Sequence, residues 1–514
     1  MRKRPTIAAF VVLGIVASPP PSASAAASAG DFKIYTKQRY RAAKRLDRAT
    51  GMVNAYKGAR VQRRQYNGID ALVIARDMNF AELAKRAPRD LKEVKPGVWQ
   101  LRRTVFVTNG ATLSITARDV RELRLLSDRA GWSSLVTRNA SLRFRGRRNR
   151  RLLIRSWNPR TGRPDKFLED GRASVSVRWR GRLDSFDTTF SDLGFYEGRV
   201  SGVAVIGPSK SNGGTGTVYR SRFEGNVFGA FSFHANDMRW VNNVFVRNFA
   251  YGFDPHDGSN NFLAERNYAA YNGKHGIIFS RFCVNNVIRN NLSEKNGWHG
   301  IVLDDGKAAD GPSNFNQVYN NVVRDNGRVG ISIDGSQRTT IRDNVISGHH
   351  YGIRLYGPTS DTMIRGNKIV DSSSFGVFVD NPTHSSWIIG NRIEGAFTGV
   401  RVRNSRRAVI RANRFTRMNG HAVKFDGDAV TNSSAASNSF TGKGASPLLL
   451  DLTDENDVSI GENSGDWNFT FAHDLARMLS WVIGPAFWIG LLGLAVLGPL
   501  ILKVSGRSDR RAPA

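Results

Sequence analysis

A short motif of one asparagine and one glycine recurs through the middle of the chain. The asparagines are spaced by 24, 24, 30, 23, 23, 24 and 22 residues, and a glycine follows each of the first seven about nine residues later. The first and third residues after each glycine are nearly always apolar, which is strand periodicity. The asparagines are Asn243, Asn267, Asn291, Asn321, Asn344, Asn367, Asn391 and Asn413, and the glycines are Gly252, Gly276, Gly300, Gly330, Gly352, Gly376 and Gly399.

This period predicts an all-β chain. A strand too short to bury its own inner face, repeated at a fixed interval, favours a parallel β-helix in which neighbouring coils bury each other. Leucine-rich repeats share the period, but they need regularly placed leucines and an alternating helix, which are absent here. Asparagine suits the turns because it tolerates left-handed backbone and can hydrogen-bond from coil to coil. We expect about 22–24 residues per coil, with an inserted loop near Lys307 to Ser313 in the 30-residue spacing.

Both ends of the chain are apolar. Residues 2–4 are basic, residues 7–16 are apolar and residues 23–25 are small, a combination typical of a secretory signal peptide. Near the other end, Met478 to Leu502 is a run of 25 uncharged residues, long enough to span a bilayer. Basic residues follow this run and are expected to stay in the cytoplasm. We therefore expect a single-pass protein of the cell membrane whose main domain is extracellular or periplasmic.

These signals predict the order of domains along the chain. The region before the repeats shows no clear period and is interpreted as a cap, and the pattern dissolves again into polar residues after the repeats. The predicted segments are a signal peptide at 1–25, an N-terminal cap region at 26–170, the parallel β-helix at 171–430, a C-terminal cap and linker at 431–474, a transmembrane helix at 475–503 and a cytoplasmic tail at 504–514.

The chain is strongly basic, with a formal net charge of +32 and an isoelectric point near 10.9. An exported basic protein binds polyanions, and acidic polysaccharide fits this location better than nucleic acid, for which no motif is present. A solvated surface with no partner is the alternative interpretation of the charge. Cys283 is the only cysteine, so no intramolecular disulfide is available, and its apolar context predicts burial.

One stretch of the repeat carries candidate chemistry. Because side chains alternate along a strand, Asp254 and His256 are expected to point away from the core. Lys274 and His275 lie one coil later, and Arg281 follows the strand of that coil. Since stacked coils are about 4.8 Å apart, these residues can converge on one lateral groove. The same reasoning brings in Tyr251, His299 and the pair Asp304 and Asp305.

The segment YGFDPHDGS (251–259), followed after 14 residues by KHGIIFSR (274–281), resembles the exported, calcium-independent mannuronan C5-epimerases. The likeness extends upstream to GVWQLRRTVFVTNGATL and covers most of residues 90 to 425. It implies a right-handed parallel β-helix and conversion of β-D-mannuronate to α-L-guluronate within a polymer.

The low acidity of the C5 hydrogen indicates roles for the candidate residues. The C5 hydrogen lies alpha to a carboxylate, so a cation must neutralise that carboxylate before a base can remove the proton. The resemblance and the planar fork of its guanidinium favour Arg281 for this task, and His256 is the predicted base, oriented by Asp254 or Asp257. Tyr251, His275 or a water held by them would return the proton. The predicted substrate-binding residues are Asp257, Lys274, His299, Asp304 and Arg354.

Three other functions stay open. The same carbanion could expel its O4 substituent, which would make the protein a polyuronate lyase. A non-catalytic, envelope polysaccharide-binding β-helix is the second alternative. A glycosidase using Asp304, Asp305 and Asp334 is the third. No metal or cofactor is predicted, since the chain has no calcium-binding repeat of the GGxGxDx type. The predicted partners are an anionic polyuronate, the membrane through the C-terminal helix, and polysaccharide export or synthesis machinery.

Overall fold

Short strands make up almost all of the regular structure. The computed structural model describes residues 37–53, 61–168, 171–195, 200–306, 311–380 and 382–470. Within these ranges the strands form three long sheets, and most coils contribute one strand to each sheet. Successive coils pair in parallel, as Ile301–Asp304 does with Ile277–Ser280. The predicted parallel β-helix is therefore confirmed.

Sheet 1 carries the strands that follow the repeated glycines. Its described strands are β1 (Gln62–Tyr66), β2 (Ile69–Ile74), β6 (Thr104–Thr108), β10 (Leu135–Arg138), β14 (Val175–Arg178), β17 (Gly202–Ile206), β20 (Phe228–Phe233), β23 (Phe253–His256), β26 (Ile277–Ser280), β29 (Ile301–Asp304), β32 (Val329–Asp334), β35 (Tyr351–Tyr356), β38 (Phe375–Asp380), β41 (Thr398–Arg403), β44 (His421–Asp426) and β47 (Leu448–Asp451).

Sheet 2 follows sheet 1 in most coils. Its described strands are β3 (Met78–Asn79), β7 (Thr112–Thr116), β11 (Ser141–Arg145), β15 (Arg182–Phe186), β18 (Thr215–Tyr219), β21 (Arg239–Val241), β24 (Leu263–Glu265), β27 (Val287–Arg289), β30 (Gln317–Tyr319), β33 (Thr340–Arg342), β36 (Ser360–Arg365), β39 (His384–Ile389), β42 (Arg406–Arg411), β45 (Ser433–Ala436) and β48 (Val458–Ile460).

Sheet 3 completes each coil. Its described strands are β4 (Leu91–Lys95), β5 (Val98–Leu101), β8 (Glu122–Asp128), β9 (Gly131–Trp132), β12 (Leu152–Asn158), β13 (Arg163–Pro164), β16 (Thr188–Ser191), β19 (Arg222–Glu224), β22 (Val244–Val246), β25 (Tyr268–Ala270), β28 (Leu292–Glu294), β31 (Val322–Arg324), β34 (Val345–Ser347), β37 (Lys368–Val370), β40 (Arg392–Glu394), β43 (Arg414–Met418), β46 (Ser439–Gly444) and β49 (Ser464–Phe469). Among the described residues, two α-helices, α1 (Lys37–Met52) and α2 (Phe80–Arg86), and a short 3-10 turn, Glu455–Asp457, accompany the strands.

The coils extend beyond the region in which the repeat is visible. Strand β2 already pairs in parallel with β6, and β46 pairs in parallel with β49. Parallel coils therefore occupy part of the segments 26–170 and 431–474, which the sequence marked as caps. The early coils hide their period because they carry insertions such as α2, so corresponding residues lie further apart than in the regular coils.

The predicted signal peptide and the predicted span from Met478 to Leu502 lie outside the described residues. In the part of the chain that the structure describes, no helix is long and apolar enough to cross a membrane. The predicted insertion near Lys307 to Ser313 falls between β29 and β30, and residues 307–310 are likewise outside the described ranges.

Buried apolar side chains fill the space between the three sheets. The first and third residues after the repeated glycines point inward as predicted, and those of β26 and β29 are fully buried. Aromatic rings stack along the axis, with centroids 5.0–5.3 Å apart through Phe190, Phe223, Phe245 and Phe253. Each such ring contributes roughly 1.5–3 kcal/mol by leaving water, so the stack is a main source of stability.

The repeated asparagines form the predicted ladder. Each Nδ2 donates to the Oδ1 of the asparagine on the next coil at 2.9–3.1 Å. Left-handed backbone occurs one residue earlier, for example at Asn242 and Arg266, with φ of 56° and 52°. The ladder asparagines need inward-facing side chains, so the preceding residue makes the turn. The ladder runs through Asn243, Asn267, Asn291, Asn321, Asn344, Asn367, Asn391, Asn413, Asn438 and Asn463.

Candidate active site

The outer face of sheet 1 brings the predicted residues together in rows. The parallel register places His256, Ser280, Asp304 and Asp334 side by side on successive strands. We call these four residues the acid row. Because a parallel register repeats the same position on every coil, residues far apart in sequence become neighbours about 4.8 Å apart.

His256 is held by the residue that follows it. Its Nδ1 hydrogen-bonds the Oδ2 of Asp257, and its ring lies 5.8 Å from the ring of Phe231 on the previous coil. Burial lowers the pKa of His256, but the hydrogen bond to Asp257 and the charges of Asp254 and Asp257 outweigh it and leave the pKa raised. Burial raises the pKa of Asp257, but the hydrogen bond and charge of His256 outweigh it and leave that pKa lowered. An oriented imidazole of this kind can act as a general base.

Two further carboxyl groups of the site have raised pKa values. Asp254 is 1% exposed, and its Oδ1 has no hydrogen-bond partner among the described residues. Burial raises the pKa of Asp254 to about 7, helped by the charge of Asp304 and opposed by His256 and Arg281. Partial burial likewise raises the pKa of Asp304 to about 6, against a hydrogen bond from Ser280. Both carboxyls therefore titrate close to neutral pH.

Arg281 lies in a turn that is stacked from coil to coil. The backbone N–H groups of Asp257, Arg281 and Asp305 each donate to the carbonyl oxygen that ends the next strand of sheet 1, at 2.8, 2.9 and 3.0 Å. We call these three residues the turn row. Gly306 has a φ of +77°, and a Cβ there would come within 2.3 Å of the Arg281 Nε. The glycine is therefore required for the path of the arginine side chain.

Three aromatic rings stack at the opposite corner of the sheet. The Tyr251 and His275 rings are 5.3 Å apart and parallel within 2°, and the His275 and His299 rings are 4.8 Å apart. We call Tyr251, His275 and His299 the ring stack. Burial, with nearby positive charges, lowers the pKa of His275 well below its usual value and that of His299 to about 3. Both imidazoles are consequently neutral, and the His299 Nδ1 accepts a hydrogen bond from the N–H of Val329 at 3.2 Å.

Two predicted substrate-binding cations lie on either side of this stack. The Lys274 Nζ is 5.5 Å from the centroid of the Tyr251 ring, and burial lowers the pKa of Lys274 while Asp254 opposes the shift. Arg354 lies four coils beyond His256, where its Nη2 donates to both oxygens of Asp334 at 3.0 Å. The structure therefore brings Lys274 to the centre of the cluster and leaves Arg354 at its edge.

Three residues that face the site were not predicted from the sequence. His234 lies on the coil before Asp257, its backbone N–H donates to the Asp257 carbonyl at 3.0 Å, and its charge helps to lower the Asp257 pKa. Trp298 and Arg328 border the ring stack one and two coils after Lys274. Gly229, which precedes most of the apolar strand β20, continues the glycine period backwards from Gly252 and could have revealed His234.

Comparison with known proteins supports the same interpretation. The family described as the right handed beta helix region matches residues 308–464. The chain is 27% identical over 271 residues to the mannuronan C5-epimerase of Pseudomonas syringae pv. tomato, covering 49% of this chain and 48% of that protein. It is 26% identical over 341 residues to that of Pseudomonas putida, covering 63% and 58%. The resemblance to the mannuronan C5-epimerases is confirmed.

Solved structures agree with this similarity. A mutant of the periplasmic alginate epimerase AlgG superposes with a TM-score of 0.58 at 19% identity, covering 78% of this chain and 86% of that one. At this identity the superposition shows a shared fold. The chain spans about half the length of these Pseudomonas mannuronan C5-epimerases.

Proposed function

We propose that the protein is a C5-epimerase that converts mannuronate, or a similar uronate, within an exported polymer. The observation that carries the proposal is the pairing of a half-buried His256–Asp257 couple with Arg281 one coil away. A base and a guanidinium at this spacing are what proton removal beside a carboxylate requires. The similarity to mannuronan C5-epimerases supports the same reaction.

Proton removal begins with neutralisation of the substrate carboxylate. Arg281 pairs with the two carboxylate oxygens, so the charge that develops on them after proton loss is stabilised. Asp257 occupies the Nδ1 of His256, which leaves Nε2 to accept the C5 proton. The electron pair of the C5–H bond passes into the carboxylate as an enediolate. Asp254 and Asp304, with pKa values of about 7 and 6, limit repulsion of the anion when they are protonated.

Return of the proton from the other face inverts C5. The ring stack lies at the opposite end of strand β23 from His256. A sugar placed over Asp254 therefore has His256 on one side and the ring stack on the other. We assign the proton donor to the hydroxyl of Tyr251, whose ring is held parallel to neutral His275. The enediolate collapses to the carboxylate as C5 takes the proton of the Tyr251 hydroxyl. The protonated His256 then gives its proton to water and the Tyr251 phenolate takes one from water, which resets both groups.

The location proposed for this activity is outside the cytoplasm. Mannuronan is an anionic polymer, and the formal net charge of +32 favours its binding. The AlgG that shares the fold is described as periplasmic. We propose an extracellular or periplasmic domain, with membrane anchoring and contact with polysaccharide export machinery as further parts of the proposal. Protease added to intact cells should digest the domain if it is extracellular, whereas a periplasmic domain should be digested only after the outer membrane is opened. Protection in opened cells whose inner membrane is intact would contradict both locations.

Incubation of the purified protein with polymannuronate in heavy water tests the reaction. Proton NMR should show guluronate residues that carry deuterium at C5, while chain length stays constant. Accumulation of unsaturated chain ends with falling viscosity, and no inversion at C5, would replace the epimerase by a lyase. The His256→Ala and Arg281→Ala variants should be inactive with unchanged circular dichroism, and a substantial residual rate in either would remove that residue from the mechanism.

Hydrolysis is less well supported by the geometry. A glycosidase needs one carboxylic acid and one free carboxylate on either side of the scissile bond. Asp334 is instead held in two hydrogen bonds by Arg354, and Asp304 lies beside it in the same row. In the same NMR experiment, new reducing ends without C5 deuterium would favour hydrolysis.

A further inference from the structure

A cleft of about 500 Å³ adjoins the ring stack on the side of the later coils. Its lining includes Trp298 and Arg328 together with Asp304, Asp334 and Arg354. Because Asp304 also belongs to the acid row beside His256, the cleft is continuous with the proposed catalytic centre. A polymer bound over His256 and extending toward the later coils would enter it.

Arg328 is held in place on an aromatic ring. Its guanidinium carbon lies 4.9 Å from the Trp298 ring centroid, and the Lys274 Nζ lies 5.0 Å from the same ring. Backbone hydrogen bonds place these three residues next to each other on successive coils. The N–H of Trp298 donates to the carbonyl oxygen of Lys274 at 3.0 Å, and the N–H of Arg328 donates to the carbonyl oxygen of Trp298 at 2.7 Å. A guanidinium stacked on indole keeps its N–H groups free to bind an anion in the plane.

Other arginines near this cleft are already paired. Arg354 binds Asp334 and Arg324 binds Glu294. Arg328 is exposed, and within the described ranges no carboxylate lies within ion-pair distance of it. Its charge nevertheless reaches the ring stack, where it helps to lower the pKa of His275 and His299. Arg328 therefore has the position and the geometry of a receptor for an external anion.

We propose that Arg328, supported by Trp298, binds the carboxylate of a uronate residue adjacent to the one being epimerised. This inference rests on the proposed function, since it needs a polyuronate in the groove. Arg328 is on the coil two steps beyond that of Arg281, which is about 10 Å along the axis. The two arginines then bind carboxylates of different residues of one chain. Arg328 thus contributes to the selection of a polymer that carries a carboxylate on the adjacent residue.

Kinetics with polymer and with monomer test the assignment. For Arg328→Gln we expect a roughly tenfold rise in KM for long polymannuronate, because one charge-assisted contact is lost. The kcat should be nearly unchanged. A mannuronate monomer has no adjacent residue, so its inhibition constant should be the same for the unchanged protein and for Arg328→Gln. Arg328→Lys should recover part of the loss, and Trp298→Leu should weaken binding in the same direction.

Arg338→Gln is the matched control. Arg338 is also an exposed arginine stacked on a ring, 5.2 Å from the Phe315 centroid, but it lies in the turn between β32 and β33 and does not line the cleft. Its KM should match that of the unchanged protein. Binding of labelled polymannuronate to His256→Ala, with and without Arg328→Gln, measures affinity without turnover.

The outcomes separate the two proposals. An unchanged protein that epimerises polymannuronate, together with an Arg328→Gln variant of unaltered KM and unaltered binding, would overturn the role of Arg328 alone. A fall in kcat with constant KM would also overturn it. If the unchanged protein epimerises no polyuronate at all, the proposed function fails first, and the inference fails with it.

Discussion

Replacement of Asp254 by asparagine should stabilise the protein above neutral pH. Asp254 is 1% exposed, and its Oδ1 has no hydrogen-bond partner in the described part of the chain. An ionised carboxylate in such a place is costly, and this is why burial raises its pKa to about 7. Asparagine has the shape of the protonated acid and carries no charge, so it removes the cost.

The magnitude follows from the pKa of the folded state, about 7, and its ordinary value of 3.8. At about 1.36 kcal/mol per unit the difference corresponds to about 4 kcal/mol. Below pH 3.8 both states are protonated and the cost is absent. It grows between pH 3.8 and 7 as the unfolded state ionises first, and it is complete above pH 7. Allowing about one unit of error, we expect the Asp254→Asn substitution to add about 3–4 kcal/mol to the free energy of unfolding at about pH 8.

Denaturant unfolding followed by circular dichroism, at about pH 8 and about pH 4.5, measures this difference. The stabilisation by Asp254→Asn should be large at the higher pH and shrink to about 1 kcal/mol at the lower one. Asp257→Asn is the control, because the pKa of Asp257 is lowered and its loss should destabilise the protein above about pH 4. An Asp254→Asn variant that is less stable at the higher pH, or equally stabilised at both pH values, would refute the reasoning.

Four further changes test other parts of the site and fold. Arg281→Lys should lower kcat about 10²–10³-fold, since an ammonium cannot replace the planar fork, with little change in melting temperature. Because the pKa of His256 is raised, the acid limb of the rate profile should lie above pH 6.5, and Asp257→Asn should move it to lower pH. Gly306→Ala should reduce kcat by displacing Arg281, without abolishing folding. Asn321→Leu breaks four ladder hydrogen bonds and should cost about 2–4 kcal/mol in denaturant unfolding.

The regular coils could be predicted from the sequence because their rules are local. Alternation along a strand sends Ile277 and Phe279 inward whatever surrounds them, and a fixed period places the same position on every coil. The placement of Asp254, His256 and Arg281 on neighbouring coils follows from this register. The early coils escaped prediction because insertions such as α2 break the period without breaking the parallel pairing.

The protonation, stacking and ion pairing of each side chain depend on neighbours whose positions the sequence does not give. The pKa of Asp254 is set by burial together with charges from three coils. The parallel Tyr251 and His275 rings require that the corners of two successive coils lie directly above each other. The ion pair of Arg354, a predicted substrate-binding residue, with Asp334 is likewise visible only in the structure. Arg328 was overlooked although it has no such partner among the described residues.

The sequence by itself therefore determined the architecture and which residues lie in register on neighbouring coils, because strand alternation and a constant period need only local geometry. The tertiary structure decided which acids are protonated near neutral pH, which rings stack and which arginines are already paired. Those properties arise from desolvation and Coulomb interaction between coils, and both depend on distances of a few ångströms across the stack. A repeat of 22–24 residues in most coils specifies which side chains are neighbours, whereas their contacts and exposure to water specify what they can do.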